Sequence, residues 1–186
     1  MGQRSIHTPA GSLGFSLTEL MIVVAFATTL MAMSIPIVSD ISQSTKLNEA
    51  ARLVERELQN ARLKAVNVNR PLRVRLNCPS TGYIRTVELI GTTADSSSNR
   101  CLTSAYPFPA GDTDLMTKPN YDGPLRALPA GATVATGTIE FEPNGTAMNV
   151  VSGTAQSITT AVSITVTRAG KSKQVTVNGA GKIQLQ

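Results

Sequence analysis

The longest apolar run in the chain covers nineteen residues, from Leu20 to Val38, and contains no charged residue. A helix that rises 1.5 Å per residue would span about 30 Å over this run, the thickness of a bilayer core. A buried core helix is a poor alternative, because one domain seldom encloses a segment that is apolar on all sides. A cleaved secretory signal is a second alternative, although the run exceeds the usual apolar length and no A-x-A site follows it. The pattern predicts the transmembrane half of a helix over residues 15–39.

After this run the apolar residues recur in steps of three and four, which places them on one stripe of a helix. The stripe consists of Leu47, Ala51, Val54, Leu58, Ala61, Ala65 and Val68. It predicts an amphipathic half over residues 40–68, so that the helix runs from about Leu17 to about Asn67 with a kink at Pro36. The stripe could pair in a coiled-coil dimer, but packing on a sheet of the same chain is the simpler interpretation.

The rest of the chain has the short alternating patterns of β-strands. The predicted strands cover residues 72–76, 83–90, 138–141, 157–167, 174–177 and 182–185. Residues 91–131 hold five of the ten prolines and predict a long loop, which in a compact domain is usually functional or mobile. The chain is therefore expected to be an α+β protein with a β domain over residues 69–186.

Composition excludes several kinds of enzyme. The only histidine is His7, and two cysteines are too few for a four-ligand zinc site, so neither a histidine-based triad nor such a site can form. Gly179–Lys182 resembles the end of a phosphate-binding loop, but Thr176 replaces its first glycine and Ile183 its Ser or Thr. No paired carboxylates or nucleophile–base set stand out, and we expect no enzymatic activity, metal or cofactor.

A specific motif precedes the apolar run: Gly14-Phe15-Ser16-Leu17-Thr18-Glu19-Leu20. It closely resembles the type IV prepilin signature. The resemblance implies that prepilin peptidase cuts between Gly14 and Phe15, removes a leader of residues 1–14 and methylates the new amino group of Phe15. The helix-kinking proline common in that family corresponds to Pro36.

Glu19 is costly at the edge of a membrane, where charged residues are usually functional. One helical turn separates it from the new N-terminal amine of Phe15. In a filament, Glu19 of one subunit could pair with the amine of a neighbour, because unpaired charges are costly in apolar surroundings. Glu19 is thus expected to set the register of assembly with other pilins, on an inner-membrane assembly platform.

The C-terminal half is similar to the H-type minor pseudopilins of type II secretion and to the related FimT minor pilins. The similarity rests on FEPNGTA at residues 141–147 and QVTVNGAGKIQL at residues 174–185. It implies a pilin-like fold, with a long N-terminal helix packed on a β-sandwich-like antiparallel domain. It also implies a structural subunit of a secretion pseudopilus or a type IV pilus, anchored once in the bacterial inner membrane with its C-terminal domain in the periplasm.

Positive charge is concentrated after the membrane segment, since residues 46–75 contain eight Lys or Arg and three Glu. This section could meet anionic lipids, acidic neighbours in a filament, or DNA. FimT-type pilins have been linked to DNA uptake through a C-terminal Gly-Arg-x-Arg element, whose place is taken here by Gly181-Lys182-Ile183-Gln184. Arg168, Lys171 and Lys173 could add a basic patch on a nearby turn. Without aromatic residues for stacking, only weak, salt-sensitive binding is expected, so DNA uptake is the second hypothesis.

Cys78 and Cys101 would both face the oxidising periplasm in this topology, where a disulfide can form. The bond would close a loop of about 24 residues and contribute about 3 kcal/mol in the chain-entropy model. Two free buried thiols are the alternative.

Overall fold

The computed structural model describes residues 14–89 and 121–186, without the side chains of residues 33–37. It contains one helix, α1 (Leu17–Val68), and ten described strands. The strands are β1 (Leu72–Leu76), β2 (Tyr83–Glu88), β3 (Arg126–Ala127), β4 (Thr133–Val134), β5 (Thr138–Phe141), β6 (Ala147–Val151), β7 (Thr154–Ser157), β8 (Val162–Arg168), β9 (Lys171–Val177) and β10 (Ile183–Leu185). The chain divides into two compact units between Ile41 and Ser42.

The first unit contains the N-terminal part of α1. The helix begins at Leu17, where the backbone carbonyl of Ser16 accepts the first helical hydrogen bond from Leu20 N, at 3.1 Å. Within the described residues, no helix has the length and hydropathy required to cross a bilayer. The transmembrane half predicted over residues 15–39 stays a prediction. The predicted leader lies outside the described residues except for Gly14, and the kink at Pro36 stays a prediction.

In the second unit, α1 ends in a well-defined cap. Asn69 adopts a left-handed conformation, with φ 52°. Arg70 N donates to Ala65 O and Asn69 N donates to Val66 O, which is the double hydrogen bond of a Schellman motif. Pro71 follows and cannot continue the helix. The predicted end of the helix is confirmed to within one residue.

The strands of the second unit form two antiparallel sheets. The first sheet has the order β3-β2-β1-β5-β6-β7, and the second has the order β10-β9-β8-β4. The predicted apolar stripe of α1 is buried with the inner faces of both sheets in one core. That core includes Leu47, Ala51, Val54, Leu58, Ala61 and Ala65 from the helix, Leu72, Val74, Ile84, Ile139 and Phe141 from the first sheet, and Val134, Ile164, Val166, Val175 and Val177 from the second. The predicted fold class, a long helix packed on an antiparallel β-sandwich-like domain, is confirmed.

The prediction of individual strands was wrong in several places, including β4, which was missed, and β9, which begins three residues earlier than expected. The hairpin β6–β7 was missed, and the strand expected over residues 157–167 begins only at Val162. Within the predicted loop 91–131, residues 90–120 lie outside the described part, while Arg126–Ala127 form β3 against β2. The missed hairpin turns at Ser152 and Gly153, both with positive φ, which is the two-residue geometry that matches strand twist.

Candidate functional site

The N-terminal unit presents its apolar side chains to the outside. Phe15 is 83% exposed, and a Cβ added to Gly14 would meet no atom within 4 Å, so the Gly14–Phe15 bond is not packed against other described residues. Among the described side chains of this unit, the large apolar ones that are more than half exposed are Phe15, Leu17, Leu20, Met21, Ile22, Val23, Val24, Phe26, Leu30, Met31, Val38 and Ile41. A contiguous exposed apolar surface of this kind marks a site of interaction with protein or membrane.

Glu19 lies in the first turn of α1 and is exposed. The Ser16 hydroxyl forms a hydrogen bond with Thr18 Oγ1 at 2.8 Å and not with the backbone of Glu19. A carboxylate in the first turn interacts favourably with the positive end of the helix dipole. The expected pairing of Glu19 with a neighbour's amine stays a prediction.

Two of the arginines in or near the basic section are buried in ion pairs rather than displayed. Arg73 Nε lies 2.6 Å from Glu140 Oε2, and both side chains are almost fully buried. Arg85 Nη2 lies 3.8 Å from Asp122 Oδ2, again with both groups buried. Arg73 belongs to the section expected to meet lipid, protein or DNA, and this part of that expectation is wrong. Arg73 alternates with the apolar residues Leu72 and Val74 along β1, as the sequence pattern indicates. Its face of the strand is nevertheless buried as well.

The cluster around Glu140 perturbs one further carboxyl group. Partial burial raises the pKa of Glu142, and a hydrogen bond and charge repulsion from Glu140 raise it further. Glu142 follows β5 and lies two residues after Glu140 in the chain. Arg73 forms its ion pair with Glu140. Glu142 is therefore held in an environment that disfavours its ionised form.

Lys182 does not lie beside the basic patch expected from Arg168, Lys171 and Lys173. Arg168 pairs with Lys171 at one end of the β8–β9 hairpin, whereas Lys182 precedes β10, which pairs with the opposite end of β9. Lys171 and Val177 are six positions apart along β9, which corresponds to a distance of about 20 Å. Lys171 Nζ lies 3.4 Å from Ser44 Oγ, and Lys173 is half-buried on the core side of β9.

Arg168 also differs from the expectation of a solvent-exposed contact. It is 9% exposed, and its Nε donates to Gln43 Oε1 at 2.7 Å. A Cβ on Gly131 would stand only 3.0 Å from its Nη1. The guanidinium thus joins β8 to α1 and is not presented for phosphate binding.

The turn that leads into Gly181-Lys182-Ile183-Gln184 is hydrogen-bonded to α1 through Arg62. Arg62 Nε donates to Gly145 O at 3.0 Å, and Arg62 Nη2 donates to Ala180 O at 3.3 Å. Gly181 has φ 73°, and a Cβ there would overlap both Gly145 O and Arg62 Nε. Only glycine fits this position, and only Lys182 of the element is an exposed cation.

A groove of about 790 Å³ runs between α1 and the end of the first sheet, and sequence reasoning did not identify it. We call it the arginine groove. Its cations are Arg52 and Arg56 from α1 and Arg126 from β3. The complete lining is Thr45, Asn48, Glu49, Arg52, Leu53, Arg56, Leu125, Arg126, Ala127, Leu128 and Pro129. The contribution of residues 125–129 could not be foreseen, because that stretch reads as loop.

Cys78 is disulfide-bonded. Cys101, the other cysteine of the sequence, lies outside the described residues, so the pairing of the two stays a prediction. In the described ranges, 14–89 and 121–186, no group of three or more metal-ligating side chains occurs.

Comparison with solved structures gives three similar chains. The type IV minor pilin FimU of Pseudomonas aeruginosa PAO1 is 16% identical, with a TM-score of 0.48 over 78% of this chain and 92% of FimU. A second crystal form of FimU gives 16% identity and a TM-score of 0.44 over 75% and 92% of the two chains. The minor pseudopilin EpsH of the type 2 secretion system of Vibrio cholerae is 15% identical, with a TM-score of 0.44 over 76% and 96%.

Comparison with curated proteins finds no match. The family described as Type II transport protein GspH matches residues 50–181, which extend from the amphipathic half of α1 to the last turn before β10. This match covers well over half of the sequence. The chain therefore belongs to the GspH family of minor pseudopilin and pilin-like proteins.

Proposed function

We propose that this protein is a minor pseudopilin, a structural subunit of a type II secretion pseudopilus or of a related type IV pilus that serves protein secretion. Prepilin peptidase cuts it after Gly14 and methylates Phe15. Before assembly it is anchored in the bacterial inner membrane, with its β domain in the periplasm. The observation that carries this proposal is the contrast between the exposed apolar side chains of residues 15–41 and the self-contained core of the second unit.

The physical argument concerns what must cover the N-terminal unit. Each large apolar side chain gains roughly 1.5–3 kcal/mol when it is removed from water. An exposed apolar helix is therefore stable first in a lipid environment and then among the helices of neighbouring subunits. The second unit needs no such cover, because its stripe of α1 is already buried against both sheets. Transfer from membrane to filament on the assembly platform replaces the lipid around the first unit by neighbouring helices, while the core of the second unit stays as it is.

Glu19 gives this transfer its specificity. After cleavage at Gly14, the amine of Phe15 and the carboxylate of Glu19 are the two charges at the start of an apolar helix. Pairing Glu19 with the amine of a neighbouring subunit satisfies both in apolar surroundings. A subunit out of register would leave both charges unpaired, at a cost of several kcal/mol.

The test is incorporation of Glu19→Ala into sheared filaments, measured against the amount in the membrane fraction. We expect normal membrane insertion and a strong loss from filaments. The matched control is Glu55→Ala, which removes a partly exposed glutamate from the same helix, outside both the apolar run and the arginine groove. Normal incorporation of Glu19→Ala would refute the register role of Glu19.

DNA binding in natural transformation, as in FimT-like minor pilins, is the second candidate and has less support. Arg168 is buried, and Lys182 lies at the other end of the β9 strand from Lys171. A mobility-shift series of the full chain with DNA across salt concentrations separates the two functions. Binding at low salt that is lost in Lys182→Glu would favour the second candidate.

A further inference from the structure

We propose that the arginine groove binds an extended, acidic and apolar segment of a different filament subunit. The proposal rests on the assembly function given above. It concerns a surface of the second unit, whereas the N-terminal motif concerns the first. Charge, apolar lining and an open strand edge each contribute to the argument.

The groove has unpaired positive charge. Arg52 and Arg56 are exposed, and neither makes a hydrogen bond or ion pair with the described part of the chain. Arg126 is half-exposed, and Glu57 holds it in position through a contact of 3.3 Å between Nε and Oε1. Glu57 lies outside the lining, in which Glu49 is the one acidic residue among the described residues, so three guanidinium groups accompany a single carboxylate there. Carboxylate groups are the natural complement of such a surface.

The groove is apolar between its charges. Leu53 and Leu125 are half-buried and Leu128 is buried at its floor. Arginine combined with apolar side chains is typical of the centre of protein interfaces. Single-stranded nucleic acid would instead require aromatic residues on which bases stack, and none lines this groove. A protein segment therefore fits this groove better than nucleic acid does.

Within residues 14–89 and 121–186, no strand pairs with the outer edge of the strand beside the groove. β3 is the edge strand of the first sheet, and both of its residues are exposed. Leu128 N donates to Gly82 O on the β2 side. Because antiparallel ladders alternate, the backbone N–H and C=O of Ala127 face away from β2. An extended segment could add to this edge while its side chains reach the arginines and leucines.

A second copy of this chain is a poor occupant. In residues 42–89 and 121–186, four of the seven acidic side chains are buried, namely Glu57, Glu88, Asp122 and Glu140. The other three are scattered over α1 and the end of β5. The described surface of the second unit thus offers no acidic strip that complements the groove, which favours a partner of different sequence.

The test uses the purified full chain and a short fluorescent peptide in which glutamate and valine alternate. We expect saturable binding by fluorescence anisotropy, at least about tenfold weaker in the double variant Arg52→Glu/Arg56→Glu. The matched control is Lys46→Glu/Lys182→Glu, which changes the charge equally at exposed sites outside the groove and should bind as the parent does. A peptide with N-methylated backbone amides should lose binding, because it cannot extend the sheet.

Several results would overturn the proposal. The proposal is contradicted if the peptide does not bind, or if both double variants lose binding equally. It is also contradicted if the N-methylated peptide binds as well as the unmodified one, because such a peptide cannot extend the sheet. Tighter binding of a single-stranded oligonucleotide that competes at the groove would assign it to nucleic acid. Self-association abolished by Arg52→Glu/Arg56→Glu, measured by sedimentation, would assign it to a second copy. Filament incorporation and cleavage at Gly14 are measured separately, so failure of the groove leaves the proposed function intact.

Discussion

The buried pair of Arg73 and Glu140 gives the sharpest prediction about stability. The substitution is Glu140→Gln, which keeps the shape of the side chain and removes its charge. Arg73 would remain buried, with Gly153 O at 3.3 Å from Nη2 as its neutral partner. Made in a Glu142→Gln background, which removes the second carboxyl group of the cluster, the perturbation isolates the cost of leaving one guanidinium without its counter-ion inside the domain.

The magnitude follows from burial and distance. The two side chains are 6% and 4% exposed, and their charged atoms are 2.6 Å apart. Removing one partner of a well-buried pair typically costs about 3–5 kcal/mol, since the remaining charge is uncompensated. For a domain of this size, that corresponds to a fall in melting temperature on the order of 10 °C. Replacing both residues by apolar side chains, as in Arg73→Met/Glu140→Leu, should cost far less.

The assay is urea unfolding followed by circular dichroism, with melting curves as a second readout. The matched control is Arg56→Met, which removes an exposed guanidinium that makes no hydrogen bond or ion pair within the described residues. Such a surface substitution usually changes stability by about 0.5 kcal/mol or less. A loss below about 1 kcal/mol for Glu140→Gln, or a loss equal to that of Arg56→Met, would refute the reasoning.

Three further predictions concern single sites. Because the pKa of Glu142 is raised in the folded state, its ionised form opposes folding, so Glu142→Gln should raise the melting temperature at pH 7. This advantage over the parent should disappear as the pH falls toward the ordinary carboxyl value of 4.5; a pH-independent difference would contradict it. Gly181→Ala should cost about 1–3 kcal/mol in urea unfolding, because φ is positive and the new Cβ would overlap Gly145 O, and a neutral effect would contradict the packing. Cys78→Ser should lower the unfolding free energy by about 2–4 kcal/mol and abolish any response to reductant; an unchanged response would exclude the disulfide as its source.

The helix could be predicted because its signals are local. The stripe from Leu47 to Ala65 has one period, and its burial needs only an apolar surface to pack on. Arg70-Pro71 marks the end, since proline cannot continue a helix. The structure adds the left-handed cap at Asn69, which the sequence suggests only in retrospect.

The sheets were harder because their details are not local. The β6–β7 hairpin was missed because strict alternation is absent from Ala147–Val151 and Thr154–Ser157. The turn at Ser152 and Gly153 is the one local signal of this hairpin. Alternation placed Arg73 on one face of β1 but could not show that this face is buried too.

The candidate sites also differ in whether their signals are local in the sequence. The Gly14–Glu19 motif is contiguous and can be identified from sequence. The separation of Lys182 from Lys171 could not be seen in the sequence, because the two are near in the chain yet lie at opposite ends of β9. The arginine groove joins Arg52 on α1 to Arg126 on β3, and no periodicity connects residues so far apart.

The central claim concerns processing, and the mature N-terminus tests it most directly. Mass spectrometry of the N-terminal peptide, on protein isolated from cells with their own prepilin peptidase, gives both the cleavage site and the methyl group. We predict a chain that begins at Phe15 with one added methyl on its amine, and an uncleaved chain in the matched variant Gly14→Val. A mature protein that begins at Met1, or at any residue other than Phe15, would contradict assignment as a processed pilin-like subunit.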